Sequence, residues 1–421
     1  MQSWIVLGVL IALILFNFFS HINIGPLSVL AALILGRLLL GLNVAQTAAL
    51  APAGTLLTLI ALSAFYGFAL ENGTANALIQ RILSRLGSKS DKLPLVIFAV
   101  SALLSAAGLG CGNTTLVMAP AAMSLAGTAA FSPLVMAAAV SCGAAAGGNF
   151  PFSYGGVIAA SLIHDAGALV DSAPTVLNAA LRNFVVNAIA FLILYIAKKG
   201  PKSRIPVQQA PPLNQIQRKT VRLITVVIFC TILPGVLALL FPCPFSKSLS
   251  NFLDTSTVMI AGVIAASALH LAPEREVLKK HVPWGLLVII SGMCMLIGIA
   301  RKCGIIDLLG DTLGNSIPQG LMKYVLLLIS MTMSLFAGAI SVVVPSLYPI
   351  VPTIGGSAAN TALYYGAILT GATCGGISPY SSGGMLILGA YPKEQGRRKL
   401  LLQLLLMPFY ITAIAFIVYT I

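Results

Sequence analysis

The sequence predicts an all-α polytopic membrane protein made of two inverted repeats of five transmembrane helices each, with one re-entrant hairpin and one broken helix per repeat. Three observations lead there. Of the 421 residues, 58% are hydrophobic and 8% are charged, and the mean hydropathy of +0.99 is far above that of a soluble domain. The apolar residues gather into ten stretches able to cross a bilayer as helices. One phrase also occurs twice, as GAAAGGNFPFSYGG at 143–156 and GATCGGISPYSSGG at 371–384. At this offset of 228 positions Gly143, Gly147, Gly148, Pro151, Ser153, Gly155 and Gly156 fall on Gly371, Gly375, Gly376, Pro379, Ser381, Gly383 and Gly384.

Taken in order, the apolar stretches are 3–19, 23–42, 50–71, 134–163, 175–197, 221–241, 255–271, 283–300, 358–392 and 400–420. No basic residue precedes the first, so it reads as a retained helix and not as a cleavable signal. The fourth and ninth are too long for one crossing, and each contains a copy of the repeated phrase. Glycine pairs and a proline interrupt the helical ladder there, which lipid tolerates only where the break is buried in protein or lines a cavity. Each stretch reads as two half-helices around an unwound centre. Segments 93–128 and 321–355 are too long for one helix and too interrupted for two, so re-entrant hairpins fit, with tips at 108–115 and 338–345. A short amphipathic stretch precedes each hairpin, at 72–87 and 303–314. The repeats thus cover 1–197 and 220–421, joined by a polar, basic, proline-bearing linker at 198–219.

Lys and Arg cluster at 81–92, in the linker and the helix start after it, at 275–280 and at 393–399. With ten spans and two hairpins that do not cross, all four clusters fall on one side, which the positive-inside rule makes the cytoplasm. Both termini then lie outside, the loop 164–174 with His164 and Asp165 lies outside, and the second half begins inside, which inverts it. Arg301, Lys302 and Lys323 fall outside, against the rule. The net charge of +14 therefore reflects orientation and not a nucleic-acid-binding face, and the expected location is the plasma membrane. The seven cysteines have no metal-ligand spacing and read as small packing residues.

A half-helix N-terminus carries partial positive charge and free N–H groups, so it binds an anion without a full cation. Opposing carbonyl ends, with Asn, Ser and Thr oxygens, suit a desolvated sodium ion. The substrate-binding candidates are Asn113, Thr114 and Thr115 at the first tip, Ser341 at the second, and Ser153, Pro379 and Ser381 in the breaks. The cation candidates are Gly112, Asn113, Gly147, Gly148 and Asn149, then Gly338, Ser341, Thr373, Gly375, Gly376 and Ser378. Two plainer readings compete: the glycines serve close helix packing, and the Asn-Thr-Thr run caps a hairpin. A proline and an aromatic at the same offset in both halves weigh against packing alone. Arg182, within 175–197, either attracts an anion or snorkels to the interface. Arg37 snorkels, and Glu71 is an interfacial acid.

No Asp or Glu lies at either break or tip, so the carboxylate of a proton-driven antiporter is missing from the site. No phosphate loop, His-Glu-x-x-His or paired intramembrane Asp occurs either, and the chain reads as a non-enzyme. No cofactor is expected apart from sodium as coupling ion.

The runs GRLLLGLNVAQ (36–46), FALENGTANALIQRILSRLG (68–87), GLGCGNTTLVMAPAAMSLA (108–126) and SPLVMAAAVSCGAAAGGNFPFSYGGVIAASL (132–162) resemble the N-terminal region of the malonate and dicarboxylate carrier family (MatC-like). That family is similar in organisation to the wider ion transporter superfamily, which includes divalent-anion sodium symporters. The resemblance covers most of the first half in detail and the second half through the internal repeat. It implies an elevator-type carrier, with scaffold helices around a transport domain of two hairpins and two broken helices, and a homodimer. In the sodium symporters a Ser-Asn-Thr triplet at each tip binds the substrate carboxylate and helps form the cation sites. Here Gly112-Asn113-Thr114 keeps the Asn and Thr of the first triplet, while Ser341 is followed by Val342 and Val343.

The expectation is a secondary transporter of a small organic anion, a dicarboxylate coupled to sodium, with the lipid bilayer and no nucleic acid as its surroundings. The first half is expected to hold the cation and the main carboxylate contact. A proton-coupled carrier or antiporter of another anion is the nearest alternative. A membrane-embedded enzyme acting on lipid-linked substrates is the alternative of another class, and it lacks a catalytic cluster.

Overall fold

The computed structural model describes residues 2–19, 23–85, 92–128, 131–167, 170–198, 212–240, 252–335 and 337–420, and every regular element among them is helical. The linker residues 199–211, with Lys199, Lys202 and Arg204, lie outside the described residues, as do His21, Lys89 and Cys243.

The first half runs α1 (Gln2–Phe19), α2 (Ile24–Leu40), a short α3 (Val44–Ala48), α4 (Ala53–Glu71), α5 (Thr74–Arg85), α6 (Leu93–Leu104), α7 (Gly110–Thr128), α8 (Pro133–Gly147), α9 (Tyr154–Asp165) and α10 (Ser172–Ala197). The second runs α11 (Gln215–Leu240), α12 (Thr255–Ala268), a short α13 (Glu274–Lys280), α14 (Trp284–Lys302), α15 (Ile305–Ser316) and α16 (Gln319–Ser334). It continues through the short α17 (Val344–Leu347) and α18 (Val351–Ile354) to α19 (Ala358–Cys374), α20 (Ser382–Ala390) and α21 (Glu394–Val418). At the offset of the repeated phrase each element of one half meets an element of the other, so α4 answers to α14, α5 to α15 and α10 to α21.

Among the described residues, five helical stretches are long and apolar enough to cross a membrane: Ala53–Glu71, Leu93–Ala126, Ser172–Ala197, Trp284–Lys302 and Gly396–Val418. Two expected spans end earlier than the apolar sequence does. Gly41, at a φ of 64°, caps α2 after 17 residues, and α12 closes after 14 residues, before His270 at a φ of 53°. Apolar side chains face outward as lipid requires, and small and polar residues gather on the buried face of α10. On α10, Leu177, Leu181, Val185, Ile189, Leu192 and Ile196 are exposed, while Thr175, Ala179, Asn183, Val186, Asn187 and Ala190 are buried.

The stretch from Leu93 to Ala126 is not one rod. Gly108 and Gly110 lie at φ of 113° and 74°, a region open to glycine, around a π turn at Ser105–Leu109. Phe98 and Ala102 of α6 lie beside Gly143 and Gly147 of α8 in the same order, and Cys111 at the start of α7 then sits beside Gly148. Both arms pack along α8, which is about 22 Å long, whereas a straight helix over both would span about 51 Å. The chain therefore turns back at Gly108–Gly110. In the second half Leu327, Ser330 and Ser334 descend along Gly371 and Gly375. After a π turn at Ala339–Val343 the Tyr348 hydroxyl donates to Tyr365 O at 3.3 Å, further back on α19, so this segment turns back too.

One apolar core joins α6, α7, α8, α10, α19 and α21, through Ile97, Met118, Val140, Phe191, Cys374 and Met407. Another joins α2, α4 and α14 to the returning arm of the second hairpin, through Ala32, Leu59, Met293, Leu296, Val343 and Tyr348. Gly25 and Gly292 let α2 and α14 touch backbone to backbone: a Cβ on Gly25 would stand 2.7 Å from Ile289 N, and one on Gly292 2.7 Å from Gly25 O.

Candidate functional site

The helix breaks lie between α8 and α9 and between α19 and α20, and the chain solves both in the same way. Ser153 donates to Phe150 O from its backbone N at 2.8 Å and from its hydroxyl at 2.7 Å. Ser381 donates to Ser378 O from its backbone N at 2.9 Å and from its hydroxyl at 2.7 Å, with Gly376 O a second acceptor at 2.6 Å. Gly155 and Gly156 sit over the carbonyls of Gly148 and Phe150, and Gly383 and Gly384 over those of Gly376 and Ser378, leaving no room for a Cβ. The earlier glycines have another task. Gly143 and Gly147 press on the Phe98 and Ala102 carbonyls of α6, and Gly371 and Gly375 on Leu327 O and Ser334 of α16. Close packing and helix breaking are thus both written into one phrase.

Tips and breaks converge on a cavity of about 470 Å³. Gly112, Asn113, Thr115, Gly148 and Asn149 line it from the first half, and Gly338, Ser341, Thr373, Gly376 and Ser381 from the second. Ile24 at the start of α2, with Pro283, Leu286 and Ile289 at the start of α14, forms a further wall. The remaining candidates stand behind this surface. Ser153 and Ser378 are fully buried within the turns they close, Gly147 and Gly375 pack on the hairpins, and Pro379 is buried. Thr114 is buried with no partner for its hydroxyl, whereas Thr115 donates to Cys111 O at 2.9 Å.

Four helical segments begin at the cavity: α7 at Gly110, the returning arm of the second hairpin at Ala339, α9 at Tyr154 and α20 at Ser382. Among the described residues no Lys, Arg, Asp or Glu lines it. The local field therefore comes from backbone N–H groups and helix dipoles, and the C-terminal ends of α8 and α19 line the same space through Ala145, Gly148 and Thr373. The two halves differ in polar satisfaction. Ser105 Oγ, Thr114 Oγ1 and Asn149 Nδ2 are buried without partners in the first half. In the second, Ser334 Oγ donates to Ala372 O at 2.5 Å and Ser381 to the break carbonyls.

Arg182 resolves to a packing role. Its Nε donates to Asn178 Oδ1 at 3.0 Å, and its guanidinium lies over the Tyr419 ring, 5.4 Å from the centroid, away from the cavity. Glu71 accepts from Lys280 Nζ at 3.0 Å and lies 2.8 Å from His281 Nε2, at the end of α4.

Sequence reasoning missed Cys111, Ser141, Tyr154 and Tyr380, which also line the cavity, and Asn183 behind it. The polar pair Asn183 and Asn187, four residues apart on an apolar span, was the available signal.

A second cavity, of about 530 Å³, contains none of the tip or break candidates. The start of α4 from Ala51 to Thr55, Asp165 at the end of α9, and Arg301 and Lys302 at the end of α14 line it. Arg301 donates from Nη1 to Asp165 O at 2.8 Å and from Nη2 to Ala166 O at 2.7 Å.

Comparison with known proteins matches residues 1–148 to a family described as "Dicarboxylate carrier protein MatC N-terminus" and residues 152–399 to one described as "Sodium:sulfate symporter transmembrane region". The two matches meet inside the first break. No curated protein matches the chain. Among solved structures, the YdaH transporter of Alcanivorax borkumensis has a similar fold, with a TM-score of 0.62 and 14% identity over 100% of this chain and 98% of that one.

Proposed function

Since the chain belongs to the sodium:sulfate symporter family and is on that ground a secondary transporter of anions, we propose that it moves a small organic dicarboxylate with sodium by elevator-type alternating access. The observation that carries this reading is the convergence of four helix starts on a cavity with no Lys, Arg, Asp or Glu among its described lining residues. A carboxylate is stabilised there by N–H groups and dipoles, without a cation whose strong grip would slow release. The start of α7 and Asn113 form the main carboxylate contact, and Ser341 receives the second carboxylate.

The wall favours a carbon chain over sulfate. Leu109, Leu335, Ile340 and Val342 share the cavity with the polar tips, and apolar contact adds affinity for methylene groups but none for a tetrahedral oxyanion. Residues 1–148, which contain the first tip, are also the part similar to a dicarboxylate carrier. Sodium is held by the carbonyl end of α8 with Asn149 and Gly112, and at the second break by the carbonyl end of α19 with Thr373. Its charge offsets the dianion, which is otherwise costly to move through a low-dielectric interior.

In the orientation given by the Lys and Arg clusters, Ile24 and Pro283 stand at cytoplasmic helix ends, so the substrate cavity opens inward. The second cavity then lies on the outer side, where the transport elements would move on reversal. The repeats run through the membrane in opposite senses, and the protein works as a homodimer in the plasma membrane.

Uptake by the purified protein in proteoliposomes, under separate sodium and proton gradients, tests the reading. Sodium-driven uptake of C3 or C4 dicarboxylates, with sulfate a weak competitor, is expected. Uptake indifferent to sodium sinks the coupling, and preference for sulfate sinks the substrate assignment.

A further inference from the structure

Asn183 is 0% exposed in the middle of α10, and a polar side chain at that depth of a membrane helix calls for a partner and a purpose. Its two ends reach the two halves of the site. Nδ2 donates to Ala145 O at 2.7 Å, in the last turn of α8. Oδ1 accepts from Thr373 Oγ1 at 2.7 Å, in the last turn of α19. Ala145 and Thr373 both line the cavity. One turn further on, Asn187 Nδ2 donates to Asn183 O at 2.9 Å, with Asn183 Oδ1 a second acceptor at 3.0 Å, which fixes the amide in this orientation. The positions at the repeat offset on α21 are Ile411 and Ala415, so the bridge is built from one half only.

We propose that Asn183 is a positioning residue that ties the carbonyl end of the first broken helix to Thr373 of the second, holding the two walls of the cavity at one spacing while ligands bind. The walls belong to separate halves of the chain, and the bridge joins them by two bonds directly behind the site. It also sets the polarity of Thr373. The single hydroxyl proton is committed to Asn183 Oδ1, or to Thr370 O at 2.9 Å, so the oxygen offers only lone pairs to the cavity. Thr373 thus faces a ligand as an acceptor, on the cation side of the site. The inference rests on the carrier reading for its consequence in transport, but the bridge itself does not.

The test uses the full-length chain with Asn183→Leu, Thr373→Val and their double variant, plus Asn183→Asp. Asn183→Leu is expected to raise the apparent KM for sodium and for a dicarboxylate roughly tenfold, the scale of one buried hydrogen bond, with a smaller change in maximal rate. The double variant should be little worse than the worse single one, because both singles break the same bond. Asn183→Asp keeps the shape. Its protonated carboxyl donates to Ala145 O and accepts from Thr373, so transport should survive at acid pH and fall as pH rises. An unchanged KM in Asn183→Leu, or additive effects in the double variant, overturns the proposal. Thermal unfolding in detergent reports the bridge apart from transport: non-additive melting shifts support it and additive ones overturn it. Should the unaltered chain carry no dicarboxylate at all, the carrier reading fails while the melting cycle still decides the bridge.

Discussion

Gly112 and Gly147 are both candidate cation ligands, yet the space around them differs completely. A Cβ on Gly112 meets nothing within 4 Å, whereas one on Gly147 collides with the Ala102 carbonyl. Gly147→Ala should therefore destabilise the protein by about 1–3 kcal/mol through overpacking, seen as a lower melting temperature in detergent, while Gly112→Ser melts as the unaltered chain does. An equal effect of the two would mean that α6 and α8 do not meet at Gly147. Asn113 is the complementary case, a side chain at the cavity whose replacement leaves the packing intact. Asn113→Ala should abolish uptake without reducing the amount inserted in the membrane, and normal uptake would remove the first tip from the site. Residues of this kind were legible in sequence because glycine, proline and asparagine interrupt an apolar run and stand out against it. Ser105 and the bridge made by Asn183 were not, because a serine does not stand out in an apolar run and what either side chain bonds to depends on its direction. That direction depends on which helices pack together, and local sequence does not encode it.

Helix ends follow the same physics at the next scale. The breaks were readable because their letters are backbone requirements: Ser381 accepts from Gly384 N at 3.1 Å as N-cap of α20 and donates to the Gly376 and Ser378 carbonyls of the break itself. Ser381→Ala removes the cap and these donors together. A cap alone is worth about 1 kcal/mol, so a melting-temperature decrease is expected, and no decrease would show that water or lipid replaces the serine. The ends of α2 and α12 were less readable, since the apolar letters continue past Gly41 and up to Leu271 while the backbone turns away. Composition measures affinity for lipid, and a helix can stop before that affinity does. The first hairpin turns on one position. Gly108 combines a φ of 113° with the Tyr66 ring against its Cα, so an L side chain is opposed by both backbone and neighbour. Gly108→Ala should lower the melting temperature, and adding Tyr66→Ala should not restore it, because the φ strain stays and truncating the buried ring leaves a cavity. Full restoration would mean that the backbone had relaxed.

Across the whole molecule, the three cations that break the positive-inside pattern bear on which way the protein faces. Lys323 lies over the Tyr324 ring, 5.1 Å from its centroid, and Lys302 lines the second cavity. Arg301 has a more specific engagement: its guanidinium caps the carbonyl end of α9 through Asp165 O and Ala166 O. A cation at a helix C-terminus is favourable, and here it comes from α14, which also walls the tip-and-break cavity at its opposite end through Pro283, Leu286 and Ile289. One helix therefore holds the end of α9 at one of its ends and lines the tip-and-break cavity at the other; in the proposed orientation these are its outer and inner ends. If reversal moves α9 past α14, both bonds must break, and a bond to a charged group contributes about 1.5–3 kcal/mol. Arg301→Ala should shift the population away from the inward-open state. Cys111, which lines the tip-and-break cavity, reports this directly in a chain whose other cysteines are replaced. Its labelling by an impermeant thiol reagent from the cytoplasmic face should slow several-fold in Arg301→Ala, with labelling from the outer face rising to match. Equal cytoplasmic labelling with and without the arginine would show that the contact with α9 does not hold this state.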